Sequence, residues 1–234
     1  MLTIIPHPDA VRGKPAVRAV QSSLLAAGFD PLGIDGVVGK NTRQAWAKWW
    51  GGRVRHLDAS NPYQLALRIA LRDACDLVRR GRPRLDQLLA VAGGVASSAH
   101  CAYACEGWYR EAGEQLGMRL TSRASGGVVR WWHALTDAER IPVADVRSGK
   151  VALAPGMMFF RTRTPETVAS ALRGGTPYGH CGLVEGLERD IVWTCEGNTN
   201  ERDGAIGGRV VAKATLFLGD ERILGFAWPA FEQR

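Results

Sequence analysis

Long apolar runs are missing from this chain. No stretch approaches the roughly 18 residues that a membrane-spanning helix requires, because Arg, Asp or Gly interrupts each one. The opening Met1-Leu2-Thr3-Ile4-Ile5-Pro6-His7-Pro8-Asp9 has neither a basic region nor an apolar core, so no secretory signal is expected there. Cysteine is sparse and odd in number: Cys75, Cys101, Cys105, Cys181 and Cys195 cannot all pair, which argues against a disulfide framework and leaves at least one free thiol. The one close pair, Cys101 and Cys105, has no second pair at finger-like spacing, so no metal site is expected. Lysine is scarce as well, with only Lys14, Lys40, Lys48, Lys150 and Lys213 among 30 basic residues. The formal charge of +7 favours anionic polymers in general. No DNA-reading element accompanies it, so nucleic acid is not an expected partner.

What is present describes a folded chain. Hydrophobic residues at 46% and charged residues at 23% exclude disordered and collagen-like classes. A length of 234 residues accommodates a small module and a catalytic domain. The expected division is a helical module over 1–55, a helical linker over 56–90 and a catalytic domain over 91–234.

Val17, Val20, Leu24 and Leu25 recur at helical spacing, with Gly28 as a C-cap. A loop with Pro31, Gly33 and Asp35-Gly36 leads to a second helix capped by Asn41 or Thr42, whose apolar face is Ala45, Trp46, Trp49 and Trp50. The run Val20-Gln21, Leu24, Gly28, Asp35-Gly36, Gly39, Thr42, Ala45 and Trp49 resembles the peptidoglycan-binding module of many wall hydrolases. The resemblance implies a small all-α bundle, with Gln21, Asp35, Gly36, Thr42, Trp46 and Trp49 as substrate-binding positions.

Asn61-Pro62 opens a helix to about Arg80, with Leu65, Ile69, Ala70, Leu71, Cys75 and Val78 as its buried side, stopped by Gly81-Arg82-Pro83. The cluster Arg79, Arg80, Arg82 and Arg84 reads as a solvated helix end.

Chemistry concentrates further on. The segment SSAHCAYACEGWYREAG reads as a helix with Ser97 or Ser98 as N-cap and Gly113 as stop, which sets Cys101 in the first turn. Unpaired N–H groups there stabilise a thiolate and lower a thiol from its usual pKa of about 8.5. Cys105, one turn deeper, loses most of that benefit. Among the five histidines, His100 diverges from its neighbour Cys101, His7 and His56 lie in a proline-rich start and a connector, and His133 follows Trp131-Trp132 on a surface helix. His180 remains as the base. Its surroundings, YGHCGLVEGLERDIVWTCEGNTN, read as a β-hairpin turning near Leu187-Glu188-Arg189-Asp190. A turn centred on Glu188 without a bulge sets His180 opposite Glu196 and Cys181 opposite Cys195 on the other face. Glu196 then orients the imidazole, and Asn198 shares that face.

The segments Cys101-Ala102 to Gly113, Pro155 to Phe160, Gly179-His180-Cys181-Gly182-Leu183-Val184 and Glu196-Gly197-Asn198-Thr199-Asn200 resemble the CHAP family of cysteine amidases and peptidases, over a region from near Ala90 to Pro229. The resemblance implies an α+β, papain-like fold, with Cys101, His180 and Glu196 as triad and Asn198 as accessory residue. It implies a monomeric peptidoglycan hydrolase that needs no cofactor and is either an N-acetylmuramoyl-L-alanine amidase or a stem or cross-bridge endopeptidase. Without a signal, such a chain resembles a phage endolysin made in the cytoplasm that reaches the wall through a holin or a secretion apparatus. A contact-delivered antibacterial toxin and a non-catalytic wall-binding or phage-structural protein are the alternatives. Three features depart from the family: His100 stands where Trp is common, Cys181 where Val is usual, and the Asp-rich calcium loop of some members is missing.

Overall fold

The computed structural model describes residues 8, 13–54, 57–75, 82–94, 100–124, 127–175, 178–199 and 206–234. They fall into two compact units, Met1–Leu57 and Asp58–Arg234. Among the described residues no helix is long and apolar enough to cross a membrane.

The first unit contains α1 (Lys14–Ala26) and α2 (Lys40–Val54), packed on each other. Val17, Val20, Gln21 and Leu24 form the buried stripe of α1, while Leu25, one position off it, is exposed. Gly28 at φ 84° ends the helix, and the Phe29 N–H returns to the Leu24 carbonyl at 2.9 Å. The second helix starts before its expected caps, since the Gly39 carbonyl already accepts the Arg43 N–H at 3.2 Å. Ala45, Trp46 and Trp49 are its buried face; the Trp50 side chain lies outside the described residues.

The second unit is mixed α+β with an antiparallel sheet. Its helices and strands run α3 (Pro62–Cys75), α4 (Arg82–Val91), α5 (His100–Gln115), β1 (Met118–Leu120), α6 (Val128–Ala134), β2 (Arg140–Pro142), α7 (Val143–Arg147), β3 (Met158–Arg161), α8 (Val168–Leu172), β4 (His180–Glu188), β5 (Ile191–Thr199), β6 (Ile206–Phe217), β7 (Ile223–Ala227) and β8 (Phe231–Gln233). Six strands form a sheet in the order β2-β7-β3-β4-β5-β6, and β1 pairs with β8.

Most of the expected linker 56–90 belongs to this unit, because α3 and α4 carry apolar faces that pack on α5. Asn61 caps α3, its Oδ1 accepting the N–H groups of Tyr63 at 3.0 Å and Gln64 at 3.2 Å. The expected continuation to Arg80, with the Cys75 and Val78 side chains, lies outside the described residues. Arg84 corrects the solvated-cluster reading. It is buried, donating from Nε to Asp73 at 2.7 Å and in a two-pronged contact to Glu111 at 2.7 and 2.8 Å. The reason is Asp73, a fully buried carboxylate that also accepts the Trp108 indole N–H at 3.1 Å and requires a cation beside it.

Helix α5 lies along β4 and β5 and buries Ala104, Cys105, Trp108, Tyr109 and Ala112. Gly113 does not stop it: the helix runs to Gln115, and Gly117 at φ 68° ends it. Gly113 instead admits the Met118 carbonyl, which would stand 2.9 Å from a Cβ there. Alternation along the strands places Cys181, Leu183 and Cys195 on one face. Phe159, Val184, Val192, Leu216 and Phe226 occupy the other, in a core completed by Val146 and Met157.

The β4–β5 hairpin has a different register from the one expected. It turns through Arg189, at φ 54°, and Asp190, pairing Glu188 with Ile191, Leu187 with Val192 and Gly186 with Trp193. A bulge at Glu185 then pairs Val184 with Thr194 and Leu183 with Cys195. Cys195 therefore faces Leu183 rather than Cys181, and no disulfide joins the two.

Candidate active site

Cys101 is the second residue of α5, where N–H groups lack partners within the helix, and its residue is 3% exposed. The expected caps Ser97 and Ser98 and the His100 side chain lie outside the described residues. The sulfur touches side chains from two consecutive residues of β4. Cys181 and the His180 ring both act on it directly. The Cys181 contact, the charge of the adjacent His180 and the Ala102 N–H together outweigh burial and hold the Cys101 thiol well below the ordinary range. Cys105 is pushed the other way, since burial dominates there. The two thiols of one helix are thus shifted in opposite directions.

His180 is fully buried at the start of β4. Its Nε2–H donates to Glu196 Oε2 at 2.7 Å, and the Thr194 hydroxyl donates to Glu196 Oε1 at 2.6 Å. With Nε2 engaged, Nδ1 is the nitrogen left for the thiol; it is buried and makes no completed hydrogen bond. Burial opposes an imidazolium, but the Glu196 charge, aided by Cys101, raises His180 to about 9. Burial likewise opposes the Glu196 carboxylate, and the charge and hydrogen bond of His180 with the Thr194 hydroxyl hold it below its usual range.

The strand geometry behind this contact is diagonal. Extending the Leu183–Cys195 register sets Glu196 opposite Gly182, two residues from His180 along the same face. A Cβ on Gly182 would stand 2.7 Å from Glu196 Cγ, so the bare glycine lets the carboxylate lean toward the imidazole. The Asn198 side chain lies outside the described residues.

Thr194, Gly182 and Cys181 are functional neighbours that the sequence reading missed as such. Thr194 was legible in part, since it shares the face of Glu196 two residues on. Cys181 was assigned to the core, which it occupies, but its sulfur also meets Cys101 and lies 4.0 Å from that of Cys105. His133 is exposed, and its Nε2 meets the Ala171 carbonyl at 2.6 Å. Among the described residues no group of His, Cys, Asp and Glu could hold a metal ion.

In the first unit the positions expected to bind substrate are mostly internal. Gln21 is buried. Its amide donates to Asp35 at 2.8 Å, Thr42 at 3.0 Å and the Val37 carbonyl at 3.1 Å, while its Oε1 accepts the Gly36 N–H at 2.9 Å. Thr42, Trp46 and Trp49 are buried too, and a Cβ on Gly36 would meet the Lys14 carbonyl at 2.9 Å. Gln21, Gly36 and Thr42 hold the loop on its helices. Asp35 alone is exposed.

The second unit thus presents a thiol at a helix start, an imidazole beside it and a carboxylate orienting that imidazole, the arrangement of nucleophile, base and orienting group used in acyl transfer. No protein-family model matches the chain, and comparisons with curated proteins and with solved structures give no match.

Proposed function

We propose that this chain is a cysteine-dependent peptidoglycan hydrolase of CHAP type, with a papain-like catalytic unit and an N-terminal wall-binding module. The observation that carries the reading is the linear arrangement of Cys101, His180 and Glu196, in which each group lowers the energy of the charged form of the next. The choice of peptidoglycan as substrate rests on the resemblance of both segments to wall-hydrolase sequences.

The Cys101 thiolate attacks an amide carbonyl and forms a tetrahedral adduct, whose oxyanion meets N–H groups of the first turn of α5. The His180 imidazolium gives its Nδ1 proton to the departing amine, leaving a thioester on Cys101. Neutral His180 then takes a proton from water, which attacks the thioester and releases the acid and the Cys101 thiolate, restoring the thiolate–imidazolium pair. Glu196 accepts the Nε2–H throughout. The first unit would raise the concentration of the catalytic unit at an insoluble substrate.

Turbidity loss of purified peptidoglycan with wild type and Cys101→Ser is the direct test. Clearing by wild type alone supports the mechanism, and equal clearing by both removes it. Mass spectrometry of the fragments then separates amidase from endopeptidase by the new amino termini.

A further inference from the structure

One cation beside the triad has no use in the steps above. Arg161 ends β3 directly opposite His180, so the two side chains leave the sheet on the same face. Its side chain is only 12% exposed. Its Nε is buried and has no hydrogen-bond partner. The nearest carboxylate, Asp220, stands 3.8 Å from a terminal nitrogen and is already engaged by Arg222, whose Nε donates to both Asp220 oxygens at 2.8 and 3.1 Å. A guanidinium Nε–H left unmet in a desolvated place is costly. The Arg161 charge acts on both Glu196 and Cys101.

We propose that Arg161 is the anion-recognising residue of this site and that the substrate is an amide bearing a free carboxylate within about one residue of the scissile bond, because a guanidinium fork pairs with carboxylate in two parallel hydrogen bonds. The proposal rests on the hydrolase reading and narrows it. A bond with a free carboxylate within one residue on either side fits the site; an amide with no such carboxylate does not.

The test compares alkylation of Cys101 by iodoacetate, which carries a carboxylate, and by neutral iodoacetamide, with the modified residue identified by mass spectrometry. In wild type the ratio of the iodoacetate rate to the iodoacetamide rate should exceed that of free cysteine, and in Arg161→Met it should fall by about tenfold, the scale of one charge-assisted pair. A wild-type ratio no higher than that of free cysteine overturns the proposal without any variant, as does an unchanged ratio in Arg161→Met. A peptide with a free carboxylate beside the scissile amide and its carboxamide counterpart give the second readout. Loss of Arg161 should raise KM for the first about tenfold more than for the second; an equal rise overturns the assignment. Cys101 inert to both reagents would instead sink the hydrolase reading itself, a result distinct from reactivity without charge preference.

Discussion

Glu196 reaches His180 on the diagonal, across the bare face of Gly182, and the carboxylate has room to do so because position 182 carries no side chain. A methyl group there would meet Glu196 Cγ at 2.7 Å, the Cys195 carbonyl at 2.8 Å and Phe159 Cε1 at 2.8 Å. Gly182→Ala should therefore cost about 1–3 kcal/mol in denaturant unfolding, in the range of core overpacking. It should also lower peptidoglycan hydrolysis at least tenfold at temperatures where the variant is folded. Full activity would show that the carboxylate does not depend on this gap.

The pH profile follows from His180. Hydrolysis needs the imidazolium to protonate the leaving amine, so the rate should fall as pH rises through about 9. Glu196→Gln removes the charge that raises His180 against burial, and the alkaline limb should move to lower pH. Initial rates across the pH range in both proteins check the sign.

Cys181, beside the Cys101 sulfur, is the largest influence lowering that thiol. Cys181→Val should shift the midpoint of Cys101 alkylation by iodoacetamide upward by about one to two pH units, the scale of a hydrogen bond to a charged group. An unmoved midpoint would leave the helix start and His180 as sufficient causes.

Arg84→Met would strand the Asp73 carboxylate among buried groups. Removal of one partner from a buried ion pair costs about 3–5 kcal/mol, and urea unfolding of the second unit should show it. Asp73 lies at the opposite end of α3 from Asn61, and its pKa is raised, mainly by burial. Stability that the variant loses should therefore be partly regained on acidification, as the stranded carboxylate takes a proton.

Gln21→Leu removes four hydrogen bonds that tie the 35–42 loop to α1. Two of the partners, Thr42 and the Gly36 N–H, are buried, and unsatisfied buried partners cost about 1–3 kcal/mol each, so the first unit should unfold at lower denaturant, and retention on purified peptidoglycan should fall with it. Asp35→Ala, at the exposed position, separates the two effects: retention lost without loss of stability would assign Asp35 a binding role.

Sequence by itself determined the candidate residues. Spacing set Cys101 in a first helical turn, elimination left His180, and strand parity set Glu196 on the face of His180. The expected register of β4 on β5 differed from the real one by two residues near the site. A slip of two keeps every side chain on its face, so the pair survived as a diagonal; a slip of one would have parted them. Tertiary structure alone decided what depends on contacts between distant segments. The bulge at Glu185, the need for Gly182, the meeting of Cys181 with Cys101, the burial of Arg84 against Asp73 and the inward turn of Gln21 all require the spatial neighbour to be known. Local periodicity reports which face a residue occupies, whereas its partners are set by packing, and in this protein the site is built from both.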